Sequence, residues 1–198
     1  MNFLNGLSQV DDSYDYFAYC DQDDIWHKDK LLRAIKIIKK KERDLPMLYG
    51  TKTFIANHDC SMIISESISI QRPLSFNNAI FQSFAGGNTM VFNLRAKKLI
   101  TKNLNLINPI SHDWWSYLCV TGNGGNVFYD PKPSLLYRQH HQNQMGTNKS
   151  WNGRISRLFK LIRGDFKICM ERNIASLKKV ENILDAKNKI VLDNFVKA

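Results

Sequence analysis

Hydrophobic and polar positions switch period several times along the chain. Residues 14–20 form a short, nearly apolar run that reads as a buried strand. Over residues 28–43, Leu31, Ala34, Ile35 and Ile38 recur at helical spacing and Ile37 widens the stripe, while Lys30, Arg33, Lys36, Lys40 and Arg43 take the other face. This pattern predicts an amphipathic helix that ends at Leu45-Pro46. Residues 47–56, rich in Tyr, Thr, Phe and Ile, predict a strand, followed by turn chemistry at Asn57-His58-Asp59. Residues 60–73 alternate Ile and Ser and fit either an edge strand or a long loop. A short helix over 76–84 is broken by Ala85-Gly86-Gly87-Asn88, and 89–92 form a short buried strand. Helices are predicted over 95–102 and 113–120, the second aromatic-rich and closed by a glycine cluster, with extended pieces over 126–129 and 135–140. Strands interleaved with helices predict the α/β class.

From Trp151 the pattern turns wholly helical. Ile155, Leu158, Phe159, Ile162 and Phe166 recur among Arg154, Arg157, Lys160, Arg163 and Lys167, and a second pattern carries Ile174, Leu177, Val180, Ile183 and Leu184. The expected division is a domain over 1–150 and a basic amphipathic helical tail over 151–198.

A chain of 198 residues fits one domain with such an appendage. Its formal net charge of +10 favours an anionic partner or a lysine-rich solubilising surface. The basic residues are spread out and no recognised nucleic-acid motif appears, so a nucleic-acid partner is not expected. Cys20, Cys60, Cys119 and Cys169 form no C-x-x-C pair. Free, mostly buried thiols in a reducing cytosol are expected. With no secretory signal and no spanning segment in the sequence, the expected location is the cytoplasm, or the inner face of the membrane as a peripheral protein.

Candidate chemistry begins at Asp21, Asp23 and Asp24, which follow the first strand at its carboxyl end. In open α/β sheets ligands bind there. Clustered acids suit a hard cation carrying a diphosphate, or the cap of the following helix. In Ser111-His112-Asp113-Trp114-Trp115, Asp113 is a general base or a helix cap, and the two tryptophans are a sugar platform or core. In Tyr137-Arg138-Gln139-His140-His141, Arg138 could reach a phosphate and a histidine could ligate a metal, or both sit at the core edge. Gly86-Gly87 marks a tight turn or a place where backbone comes close to something.

Taken in order, C-D-Q-D-D-I-W-x-x-D-K-L, G-G-N-T-M-V-F-N, H-D-W-W and L-Y-R-Q-H resemble the family 2 inverting glycosyltransferases, and within them the rhamnosyltransferase-like members that build bacterial polysaccharides. The resemblance covers residues 14–146. It implies a GT-A fold, a Rossmann-like mixed sheet, here truncated and followed by the helical appendage. It implies a nucleotide-diphosphate sugar donor, Mg²⁺ or Mn²⁺, and a glycan or lipid-linked acceptor. Asp23 and His140 would be metal ligands, Asp21, Asp24, Gly87, Trp114, Trp115 and Arg138 would line the nucleotide-sugar site, and Asp113 would be the catalytic base. Family members hold base and ribose on a strand and loop before the acids, where this sequence has only residues 1–13. The first βαβ unit is thus expected to be missing, leaving a sheet edge that a second chain could complete. The competing expectation is a non-catalytic basic protein that docks on an anionic membrane or a partner chain.

Overall fold

The computed structural model describes residues 2–41, 44–139 and 165–197. Two mixed four-stranded sheets and seven α-helices are present among these residues, so the α/β class holds, with a helical C-terminal part. Chain order is α1 (Asn2–Gln9), β1 (Tyr16–Ala18), β2 (Ile25–Trp26), α2 (Lys30–Lys41), β3 (Met47–Thr51), β4 (Phe54–Ala56), β5 (Ile63–Glu66) and α3 (Phe76–Phe81). Then come β6 (Val91–Asn93), α4 (Leu94–Ile100), α5 (His112–Gly122), β7 (Asn126–Asp130), β8 (Leu135–Arg138), α6 (Asp165–Lys179) and α7 (Ala186–Lys197).

The main sheet runs β1-β6-β3-β7. β6 is antiparallel to both β1 and β3, and β3 is parallel to β7. β1, β3 and β7 therefore share one direction, and their carboxyl ends lie beside the start of β6, where Ala18 faces Val91. The second sheet runs β2-β8-β4-β5. The single strand expected over 47–56 is two: β3 is buried along its whole length in the main sheet, and β4 crosses into the second. Within 60–73, the edge-strand alternative is the one realised, as β5 beside β4.

α5 runs through the centre, with every residue from Asp113 to Gly122 buried. A helix apolar on all sides suits that position. Gly124, at φ +74, ends it in the left-handed conformation that glycine adopts without a Cβ clash. Asn93 closes β6 and caps α4: its Oδ1 accepts from the Ala96 and Met47 amides, and its Nδ2 donates to the Leu45 carbonyl. One residue thus ties a strand end, a helix start and the entry of β3.

Two expectations are corrected on α2. Its inward stripe is Lys30, Ala34 and Ile38, with Ile35 and Ile37 half-buried, whereas Leu31 is exposed. Arg33, expected on the solvent face, pairs with Asp130, whose Oδ2 also accepts from the Tyr49 hydroxyl at 2.6 Å. Of the thiols, only Cys119 is fully buried, and Cys20 is exposed. The expected tail is, over 165–197, part of the common core: Leu177, Val180, Ile183 and Leu192 pack in one cluster with Trp115, Leu118 and Phe76. The basic stretch from Trp151 to Arg163, and the expected boundary at 150, lie outside the described residues. No helix among the described residues is long and apolar enough to cross a membrane.

Candidate functional site

The acidic loop leaves β1 at its carboxyl end and enters β2, so it bridges the two sheets. The antiparallel start of β6 brings the turn Gly86–Thr89 to the same end. Asn88 joins the two directly: its Nδ2 donates to Asp24 Oδ2, while its carbonyl accepts from the Lys30 ammonium. Asp24 Oδ1 is shielded from solvent and has no hydrogen-bond partner. Burial pushes the Asp24 carboxyl up to about 6 against the Asn88 hydrogen bond, and the charges of Asp21 and Asp23 add to the rise. Asp21 is raised as well, first by burial and then by Asp23 and Asp113, against the pull of His112 and Lys30.

Asp113 reaches the same region from the first turn of α5. Ser111, not Asp113, occupies the cap position, and Asp113 Oδ1 accepts from the Trp114 amide at 2.8 Å. The buried carboxylate acts electrostatically on Asp21 and on His112, which places the acidic loop and the helix start in one field. His112 lies against Phe3 of α1, with ring centroids 4.2 Å apart, and meets Tyr19 edge-on at 4.6 Å. Its Nε2 is buried and unpartnered, and burial lowers its pKa against the opposing pull of Asp113 and Asp21.

Gly87 is explained by this histidine. A Cβ at position 87 would stand 2.1 Å from His112 Nε2, so only glycine lets the imidazole fit. The sequence marks the close approach but not what approaches.

Arg138 ends β8 and holds the loop from the other sheet. Its Nε donates to the Asp23 carbonyl at 2.9 Å and its Nη1 to the His58 carbonyl at 2.5 Å. The structure therefore puts Arg138 at the acids as a backbone clamp. His140, two residues further on, lies outside the described residues.

The tryptophans do not form an open sugar platform. Trp115 is completely buried and its Nε1 donates to the Ile100 carbonyl, while the largely buried Trp114 donates to the Ala79 carbonyl. Burying these large rings stabilises α5, and each N–H finds a backbone acceptor, as a buried indole requires. An open recess lined by Asp15, Tyr16, Asn93, Leu94, Arg95 and Lys98 lies at the opposite end of β1 and has no part in this cluster.

Two residues of the site were missed from the sequence. Lys30 is 1% exposed, with its Nζ 3.4 Å from the centroid of the Trp26 ring. Burial pulls its ammonium down to about 8, against the attraction of Cys20, Asp24 and Asp21. Asn88 is the other. The W-x-x-D-K-L spacing contains Lys30, but helical periodicity alone assigns it to solvent.

Among the described residues no three His, Cys, Asp or Glu side chains are arranged to hold a metal ion. The loop still offers hard oxygen donors, one of them the orphaned Asp24 Oδ1. A divalent cation that takes one or two carboxylates beside phosphate oxygens fits this set.

Fold and site together define an α/β protein with an acidic, half-buried loop at the carboxyl end of a mixed sheet, facing a carboxylate at a helix start. Over 163 residues the chain is 30% identical to the dTDP-rhamnosyl transferase RfbG of Shigella flexneri, covering 79% of this chain and 54% of that protein. The chain thus spans about half the length of the curated relative it matches. This similarity supports a relationship to glycosyltransferases. No protein-family model matches the chain.

Proposed function

We propose that the chain carries the acidic half of a glycosyltransferase site of GT-A type. It would transfer a sugar, rhamnose in the simplest reading, from a nucleotide-diphosphate donor to a glycan or lipid-linked acceptor with inversion. The observation that carries this reading is the convergence of Asp21, Asp23 and Asp24 with Asp113 at the carboxyl end of the sheet, in a chain similar to a dTDP-rhamnosyl transferase. The name of that relative is what supports reading the donor as a dTDP-sugar.

In this reading Asp113 takes the proton of the acceptor hydroxyl as its oxygen bonds to the anomeric carbon. The bond from that carbon to the diphosphate oxygen breaks, and its electron pair leaves with the diphosphate. Asp23 and Asp24 would hold Mg²⁺ or Mn²⁺, with His140 beyond the end of β8 as a further ligand. A bound cation would supply charge compensation for the leaving diphosphate. Asn88 and Arg138 keep the loop in place from two sides, and Asp21 feels the charges of both Asp23 and Asp113. Preorganised groups of this kind need no rearrangement when charge develops.

Asp113→Asn tests the reading. Release of dTDP from a dTDP-sugar in the presence of a lipid-linked saccharide acceptor should fall by about 10²–10⁴, the usual worth of a general base. Binding of dTDP with Mn²⁺, followed by calorimetry, should stay within about twofold. Loss of binding together with transfer would make Asp113 a structural residue and overturn its assignment.

A further inference from the structure

Lys30 is a charged side chain sealed beneath the acidic loop. A buried ammonium is stable only when other groups compensate its charge. Here the Trp26 ring face, the Asn88 carbonyl and the carboxylates of Asp21 and Asp24 do so. The compensation acts both ways. Part of the loop's negative charge is already offset before any ligand arrives, by a cation that cannot leave with solvent. Arg138, a second cation at the loop, is bonded to the Asp23 and His58 carbonyls on the side of the second sheet.

A bare divalent ion approaching the loop meets this fixed positive charge and is disfavoured by it. A divalent ion already bound to a nucleoside diphosphate is net negative, and the same charge attracts it. We propose that Lys30 is a resident counter-cation that makes the acidic loop accept a divalent ion as its diphosphate complex rather than alone. This inference rests on the proposed function and names a specificity-determining residue that the sequence pattern assigns to solvent.

The test is binding of Mn²⁺ alone, and of Mn²⁺ with dTDP or UDP, to the full chain by calorimetry and by electron paramagnetic resonance of free Mn²⁺. The parent chain should bind Mn²⁺ far more tightly with a nucleotide than without. Lys30→Met should tighten bare Mn²⁺ by about tenfold and weaken the Mn²⁺–nucleotide complex by a similar factor, the size expected of one unit charge several ångströms away in a half-wet site. Lys30→Arg keeps the charge and should stay within about twofold of the parent on both counts. A parent chain that binds bare Mn²⁺ as well as it binds Mn²⁺ with dTDP overturns the proposal without any variant. Bare Mn²⁺ affinity unmoved by Lys30→Met, or raised equally by Lys30→Arg, also overturns it, while nucleotide binding in the parent leaves the reading of the site intact. Failure of the parent to bind either nucleotide with Mn²⁺ overturns that reading and the role of Lys30 together.

Discussion

Where the C-terminal helices pack against the end of α5 and the segment that leads into it, buried polar groups act as staples. Asn188 Nδ2 donates to the Thr121 and Gly122 carbonyls, Asn123 Nδ2 donates to the Ile183 carbonyl, and Ser176 Oγ and Asn173 Oδ1 accept from the Asn108 and Ile110 amides. Around the acidic loop, which faces the start of the same helix, Asp24 Oδ1, Trp26 Nε1 and His112 Nε2 are buried without partners. In the first region Asn173 Nδ2 is the comparable orphan. Backbone carbonyls left over at a helix end are satisfied by amide side chains in one place. In the other, carboxylates are crowded until their own charges raise their pKa values. Paired polar groups stabilise the first region, whereas the buried groups left without partners in the second cost stability.

The comparison can be broken most sharply at Leu177. This side chain is fully buried in the common core. Leu177→Ala should destabilise the whole chain by about 3 kcal/mol in a urea titration, in one transition shared by all probes. A loss confined to a separate helical transition would return residues 165–197 to the status of an appendage.

At the site end, Gly87→Ala forces a methyl group into His112 Nε2. The imidazole is held between Phe3 and Tyr19, so it must leave its stack or push the turn away. The expected cost is about 1–2 kcal/mol, with a displaced His112 resonance in the proton NMR spectrum. An unshifted resonance and an unchanged denaturation midpoint would mean that the ring does not pack against this turn.

Asp24→Asn has the smallest expected effect and the opposite sign. The native carboxyl holds its proton up to about pH 6, whereas an unfolded aspartate releases it near its ordinary value of 3.8. The folded state therefore binds more protons in that interval, and the contribution of Asp24 to stability falls as pH rises through it, leaving a fixed penalty above. Because the group is half-exposed, solvent screening reduces the effect. Asp24→Asn should raise the thermal midpoint by a few degrees at pH 7.5 and leave it nearly unchanged at pH 4. A lower midpoint at pH 7.5 would show that the carboxylate is stabilised rather than strained in the folded loop.

Much of the local structure was legible because each element buries one face of a regular period. The Ala34–Ile38 stripe, the wholly apolar β3 and the Leu177–Val180–Ile183 pattern all follow from this. The acids were legible as a candidate site because they stand immediately after a buried run. Lys30 was not, since helical periodicity assigns a residue to a face without saying what stands opposite that face. Here the opposite groups are Trp26 and the Asn88 carbonyl, the latter 58 residues away. The tryptophans were ambiguous for a related reason: an aromatic pair at a helix start reads alike as platform or core, and the carbonyls of Ala79 and Ile100 decide for core.

The amino-acid sequence by itself determined the α/β class, most of the helices and buried strands, and the position of three carboxylates at a strand end, since these depend on neighbours a few residues apart. Only the tertiary structure decided that 47–56 divides between two sheets, that His112 occupies the space left by Gly87, and that a lysine is sealed under the acids. Each of those outcomes depends on segments distant in the chain meeting at one end of the sheet. Such meetings are set by strand order and register, which local periodicity does not encode.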